Sequence, residues 1–255
     1  MSGSQGEPGV AAPLLGIATL VALLVAVEAL IAAGVINGFI VPKPSQIIAA
    51  IPRIIVEEDV LHRFGQTAFE VLWASLMLTV LGIALGMLLY RFRLLRQATE
   101  TWVAALASAP IVLMYPLFLV IFGRSATTIV MIGFAAGLAP VILKTVEGLA
   151  GARQVLVNVG RSFRLTNAQL FRMILLPAAL PSIFVGLRLG LIFAMINIVG
   201  VEFLINFGGL GQLINELAER YDLPGTYGAI FFVILVSIVF FYLTEKLERW
   251  LRPGT

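Results

Sequence analysis

Charged residues are absent from four long stretches of this chain: Val71–Tyr90, Thr101–Gly123, Ser125–Leu143 and Leu223–Thr244. Gly9–Pro42 is broken only by Glu28, and Met173–Val201 only by Arg188. Each run reaches the roughly 20 apolar residues that cross a hydrocarbon core. Backbone in lipid has to satisfy its own hydrogen bonds, and alternating strands of barrel length are absent, so the runs are helices. The pattern therefore predicts an all-α integral membrane protein with six spans, at about 10–40, 66–90, 98–123, 125–148, 176–203 and 224–246. Residues 10–252 form a single transmembrane domain, preceded by a short tail over 1–9.

The polar connections have their own patterns. In Pro42–Gly65, Ile47, Ile48, Ile51, Ile54 and Ile55 recur at helical spacing beside Glu57, Glu58 and Asp59, which predicts a short amphipathic helix on the membrane surface. Arg91–Arg96 is a basic turn, and Phe122–Ala126 a tight turn that makes a hairpin of the third and fourth spans. Phe203–Leu223 begins apolar with Gly208, Gly209 and Gly211 and ends acidic with Glu216, Glu219 and Asp222, which suggests a partly re-entrant hairpin.

With alternating sides, Arg91, Arg93, Arg96, Lys144, Arg153, Arg161, Arg164, Arg172, Lys246, Arg249 and Arg252 share one face of the membrane. Lys43, Arg53, Arg63, Arg124 and Arg220 take the other. Eleven against five places the first side, with both termini, in the cytoplasm. Met1–Leu14 lacks the basic start of a cleaved signal peptide.

Composition narrows the chemistry. Hydrophobic residues make up 60% of the chain and charged ones 12%, far from the soluble average. With no cysteine and one histidine, His62, thiolate metal sites are excluded and no other metal or cofactor set is expected. No phosphate-binding loop or hydrolase motif is present, so the chain is not expected to be an enzyme. The net charge of +3 follows from the arginine asymmetry rather than from nucleic-acid binding.

The segment Arg161–Pro181 carries three arginines between hydrophobic spans. Val157–Leu165 and Asn167–Leu175 read as two short helices meeting near Arg164–Thr166, with Thr166 as an N-cap. Phe163, Leu165, Leu170 and Phe171 offer apolar anchors, and Arg161, Arg164 and Arg172 charge-assisted contacts, for a partner docking on the loop at about 149–175. Pro177 and Pro181 stiffen the junction with the fifth span. The plainer alternative is a basic loop that only sets topology; leucines and aromatics beside the arginines favour docking.

Polar groups inside the spans have two readings each. Arg188 either lines a pathway and attracts an anion, or snorkels and pairs with another helix. Glu202 either gates solute entry or caps and pairs at the interface. Asn197 bonds either a solute or a neighbouring helix, and Glu28 is expected to face another helix or subunit. Met114, Tyr115, Met131, Phe134 and Met195 either surround a pathway near mid-depth or pack. Gly82 and Gly86 form a GxxxG for close helix contact. Tyr90, Trp102 and Trp250 fit interfacial anchors.

VPKPSQIIAAIP (41–52), Pro110 with Pro116-Leu117 and Phe122-Gly123, LPAALPSIFVGLRLGL (176–191) and GGLGQLI (208–214) occur in this order. Over 41–252 the chain thereby resembles the permease of bacterial ATP-binding-cassette importers of the nitrate, taurine and alkanesulfonate type. The resemblance implies a type I inner-membrane permease, paired with a second permease and served by two cytoplasmic ATPases and an external solute-binding protein. ATP and Mg would be bound by the ATPases, and a coupling helix would lie in the 157–175 loop. The solute would be a small anion, a sulfonate or a heterocyclic nutrient. The family's Glu-Ala-Ala and its glycine fall here on Asn158, Val159, Gly160 and Arg164, so Arg164 requires a different turn or a positive φ. Glu70, Ala74 and Thr101 stand where the family usually has arginine, glycine and proline. An ion-coupled secondary transporter and a non-transporting scaffold are the alternatives.

Overall fold

The computed structural model describes residues Ala11–Leu251; the expected tail over 1–9 and Arg252 lie outside them. Among the described residues every regular element is helical. Helix α1 (Ala11–Ala32) is apolar on all sides and almost wholly exposed within the chain, as suits a helix facing lipid or another subunit. It ends well short of residue 40, because Gly34 at φ 74° turns the chain. Glu28 near its end accepts hydrogen bonds from Ser45 N (3.0 Å) and Ser45 Oγ (2.6 Å), so its partner is the next helix. That helix, α2 (Pro44–Glu57), is the expected amphipathic one and buries Ala50 and Ile54.

Helix α3 runs from Val60 to Arg91, through a π-turn at Leu78–Gly82. It begins earlier than the hydropathy predicts, since His62 and Arg63 lie on its polar first turns. A Cβ on Gly86 would stand 2.5 Å from Thr145 Cβ, and one on Gly82 2.9 Å from Val141 Cγ1. The GxxxG therefore faces a close helix crossing.

The third span is not a straight helix, contrary to the expectation. Helix α4 (Arg93–Ser108) and helix α5 (Tyr115–Phe122), the latter preceded by a 3₁₀ turn at Ile111–Met114, meet at 94°. Pro110 causes the break: it has no N–H to donate and drives Ala109 into extended backbone (φ −75°, ψ 134°). Gly123 at φ 70° then makes the tight turn into α6 (Ala126–Ala150).

Helix α7 (Gln154–Ser162) leads to α8, one apolar run from Asn167 to Ile205. The short helix expected over Asn167–Leu175 is continuous with the fifth span. A π-turn at Phe171–Leu175 precedes Pro177 and loosens the ladder where the proline would otherwise meet the Met173 carbonyl. Helices α6 and α8 form the centre of the bundle. They touch backbone to backbone at Gly137 and Gly190, where a Cβ on Gly190 would lie 2.7 Å from the Gly137 carbonyl oxygen. Around this contact Leu78, Ile129, Ile132, Met195 and Ile198 fill the main core.

Helix α9 (Gly209–Glu219) folds back against α8 and α3, and α10 (Leu223–Leu251) closes the bundle. Five helices are long and apolar enough to cross a membrane, and the bent α4–α5 pair gives a sixth if it is counted as one broken span.

Candidate functional site

A hairpin joins α7 to α8. The Arg164 N–H bonds the Arg161 carbonyl (2.8 Å) and the Leu165 N–H bonds the Gly160 carbonyl (3.1 Å), the paired bonds of a Schellman ending. Its left-handed position is held by Arg164 at φ 55°, where glycine is usual. The missing glycine is thus met by a positive φ at arginine. Gly160 beneath the turn has no room for a Cβ, which would lie 2.6 Å from Ile174 Cδ1 and 2.8 Å from Leu170 Cδ1. Thr166 caps the next helix as expected: its Oγ1 accepts from Gln169 N (3.3 Å), and Gln169 Oε1 accepts from Thr166 N (2.9 Å).

The residues named for docking divide. Phe163 is 79% exposed, and Arg161, Arg164, Arg172, Thr166 and Pro177 are exposed. Leu170 is instead buried under the turn and Leu165 half-buried. Phe171 packs against Leu149, Ala179 and Ile183. These three order the hairpin rather than present a face, because the second helix turns its apolar stripe inward. Sequence reading missed Val155, Leu156, Val159 and Met173, all exposed. The first three, with Phe163, recur at helical spacing along one side of α7, a stripe open to inspection in the sequence. Among the described residues the arginines at 161, 164 and 172 enter no ion pair.

At the other end of α8, Glu202 is fully buried. Its Oε1 accepts from Thr67 Oγ1 (2.6 Å) and its Oε2 from Gly211 N (2.8 Å). Leu210 N donates to Thr67 Oγ1 (2.9 Å) and Gly209 N to Gln66 Oε1 (2.9 Å). Glu202 and α3 together cap the open amides at the start of α9. Gly208 and Gly209 have φ of 101° and 78°, and a Cβ on Gly211 would meet Glu202 Cβ and Phe203 N, each at 2.7 Å. The GGLG sequence is therefore what lets the chain turn and press α9 onto this carboxylate. Glu70 on α3 lies beside Glu202 within hydrogen-bonding reach; it is buried, and its Oε2 takes no hydrogen bond. The adjoining cavity of about 440 Å³ is lined by His62, Gln66, Phe69, Glu70 and Phe207, among others.

Arginines around this end of α8 are matched. Arg63 pairs with Glu216 (2.7 Å), Arg220 with Glu58 (2.9 Å) and Arg53 with Asp222, while Arg124 bonds the Asn206 carbonyl. Burial alone would raise the Asp222 carboxyl, but hydrogen bonds from Arg53 and the Gly225 amide outweigh it and hold Asp222 below its ordinary value.

The other pathway candidates do not converge on one cavity. Met195 is buried in the main core, with Tyr115 and Phe134 packed against it. Met131 is half-buried, and Met114 is 42% exposed at the α4–α5 bend. Asn197 Nδ2 bonds the Phe193 carbonyl of its own helix (2.8 Å). Arg188 pairs with Glu248 on α10 at 3.5 Å. Trp102 is exposed, and the Trp250 side chain lies outside the described ones.

Taken together these features define an all-helical inner-membrane permease of the type I ABC importer fold. The fold superposes on the MetNI methionine ABC transporter in an inward-facing conformation with a TM-score of 0.65. That match has 18% identity and covers 74% of this chain and 94% of the other. Residues 79–253 match the model of the binding-protein-dependent transport system inner membrane component family, and the chain belongs to that family. It is 27% identical to the formylaminopyrimidine transport permease protein ThiX of Halalkalibacterium halodurans, over 84% of this chain and 86% of the relative. It is 22% identical to the taurine transport system permease protein TauC of Escherichia coli, over 94% and 89% respectively. Its function is that of a permease component of a binding-protein-dependent ABC importer.

Proposed function

We propose that this permease forms half of a solute pathway with a second permease and couples to a cytoplasmic ATPase through the α7–α8 hairpin. The observation that carries this reading is the apolar stripe Val155, Leu156, Val159 and Phe163, flanked by arginines that enter no ion pair among the described residues, on a hairpin that a Schellman ending and a capping box hold in one shape. Exposed apolar surface ringed by charge is what a docking partner recognises. An external binding protein delivers the solute, both termini lie in the cytoplasm, and ATP and Mg belong to the partner. The arginine asymmetry supports that orientation: outer-side Arg53, Arg63 and Arg220 are matched by acids, whereas those of the hairpin are left for a partner.

The solute is a small heterocyclic nutrient on this reading. Of the two readings of Arg188, its pairing with Glu248 favours contact with another helix over the attraction of an anion. A relative named for formylaminopyrimidine transport points the same way.

The test is co-purification and transport with Val159→Asp and Phe163→Asp. Loss of ATPase association and of uptake, with membrane insertion intact, is expected. Normal ATPase binding and coupling in the double variant would place the docking site elsewhere. Comparing ATPase stimulation by pyrimidines, taurine and nitrate, with the binding protein present, tests the solute class separately. Because the chain has no cysteine, single cysteines placed in the α7–α8 and α8–α9 turns report its orientation by labelling from each side.

A further inference from the structure

We propose that Glu70 and Glu202 hold a single proton between them, making a buried proton site that fastens α9 onto α3 and α8. Two carboxyl groups within hydrogen-bonding reach are both acceptors when ionised, and neither can bond the other without a proton. The donors of the cap are committed elsewhere. Thr67 Oγ1–H and the Gly211 amide go to Glu202, the Leu210 amide goes to Thr67 and the Gly209 amide goes to Gln66. None reaches Glu70, whose Oε2 is buried without a hydrogen bond. A carboxylate left that way is among the costliest groups to bury, and a second negative charge beside it adds repulsion. One proton on Glu70, donated to Glu202, satisfies both.

The charged groups facing the pair supply no substitute. Arg63 on the same face of α3 is taken by Glu216 of α9, and Arg124 before α6 is taken by the Asn206 carbonyl. His62 lines the neighbouring cavity one and two turns from Gln66 and Glu70 and makes no hydrogen bond to either. A metal cation in place of the proton lacks a ligand set, since among the described residues no group of three His, Cys, Asp or Glu side chains gathers to hold one.

The site is independent of which solute is carried and of whether the α7–α8 hairpin docks an ATPase. It is read by infrared spectroscopy on the purified full chain in lipid nanodiscs, which detects the C=O stretch of a buried protonated carboxyl. The unmodified chain should show that band across the neutral range. Glu70→Gln should remove it, because the amide donates the same hydrogen bond without a titratable proton; Glu248→Gln should leave it. Melting temperature should fall in alkaline solution for the unmodified chain and hold constant for Glu70→Gln. Should Glu70→Gln misfold, Glu202→Gln serves to remove the band. Absence of the band in the unmodified chain, its survival in both glutamine variants, or an equal alkaline fall in Glu70→Gln would overturn the proposal.

Discussion

Replacing Arg164 with glycine should tighten the α7–α8 hairpin. At φ 55° the Arg164 Cβ crowds its own carbonyl, a strain of about 1–2 kcal/mol for an L-residue. Glycine relieves it but gains freedom in the unfolded chain, which takes back about 0.5–1 kcal/mol. The side chain is exposed and enters no ion pair among the described residues, so little else is lost. The net gain is about 0.5–1 kcal/mol. Arg164→Ala is the control, since it removes the side chain and keeps the strained Cβ; glycine should exceed alanine by about 1 kcal/mol. The assay is amide exchange at residues 164 and 165, whose N–H groups close the Schellman ending onto Arg161 and Gly160. About 1 kcal/mol corresponds to roughly fivefold slower exchange in the glycine variant than in the alanine one. Equal exchange in the two variants, or faster exchange in glycine than in the unmodified chain, would refute the argument from backbone strain.

Thr166→Ala removes the capping box and should cost about 1 kcal/mol, read as faster exchange over the first turn of α8 with the cap of α9 unchanged. Gly211→Ala drives a methyl into Glu202 Cβ and the Phe203 amide and should cost about 3 kcal/mol, measured as a lowered melting temperature in detergent. Asp222 sits below its ordinary carboxylate value of 3.8; its contribution to stability is therefore complete above that value and is lost as pH falls through the lowered one. Asp222→Asn should flatten the acid limb of a melting-temperature profile, and an unchanged limb would show that the Arg53 pair does not fasten α2 to α10.

The apolar spans were legible because lipid imposes one simple requirement, about 20 apolar residues without charge, and that is read from composition. Direction was not. The hydropathy of 98–123 is that of a straight span, and only the backbone restriction around Pro110 turns it through a right angle. Helix starts at Val60 and Arg93 were misplaced because amphipathic ends extend beyond the apolar window. In the hairpin, Thr166 announced its cap by local chemistry, whereas the positive φ at Arg164 was one of two alternatives raised by the family's glycine. Leu170 and Phe171 could not be told from exposed anchors, since their burial depends on Gly160 and on the cluster at Leu149. Glu202 had capping as one of its two readings, but its partners Thr67 and Gly211 are fixed by a helix crossing that no local pattern encodes.

The helix that runs unbroken from Asn167 to Ile205 has a mechanical consequence. At about 1.5 Å per residue its 39 residues make a rod of roughly 58 Å, nearly twice the hydrocarbon thickness. One end starts at the hairpin proposed to receive the ATPase, and the other carries the carboxylate that caps α9. Its backbone-to-backbone contact with α6, Gly137 on Gly190, falls between the two, where a lever would have its fulcrum. On the proposed coupling, a push at the hairpin end would swing the other end the opposite way. Opening on one side of the membrane and closing on the other would then be a single rotation, with no signal passed from residue to residue.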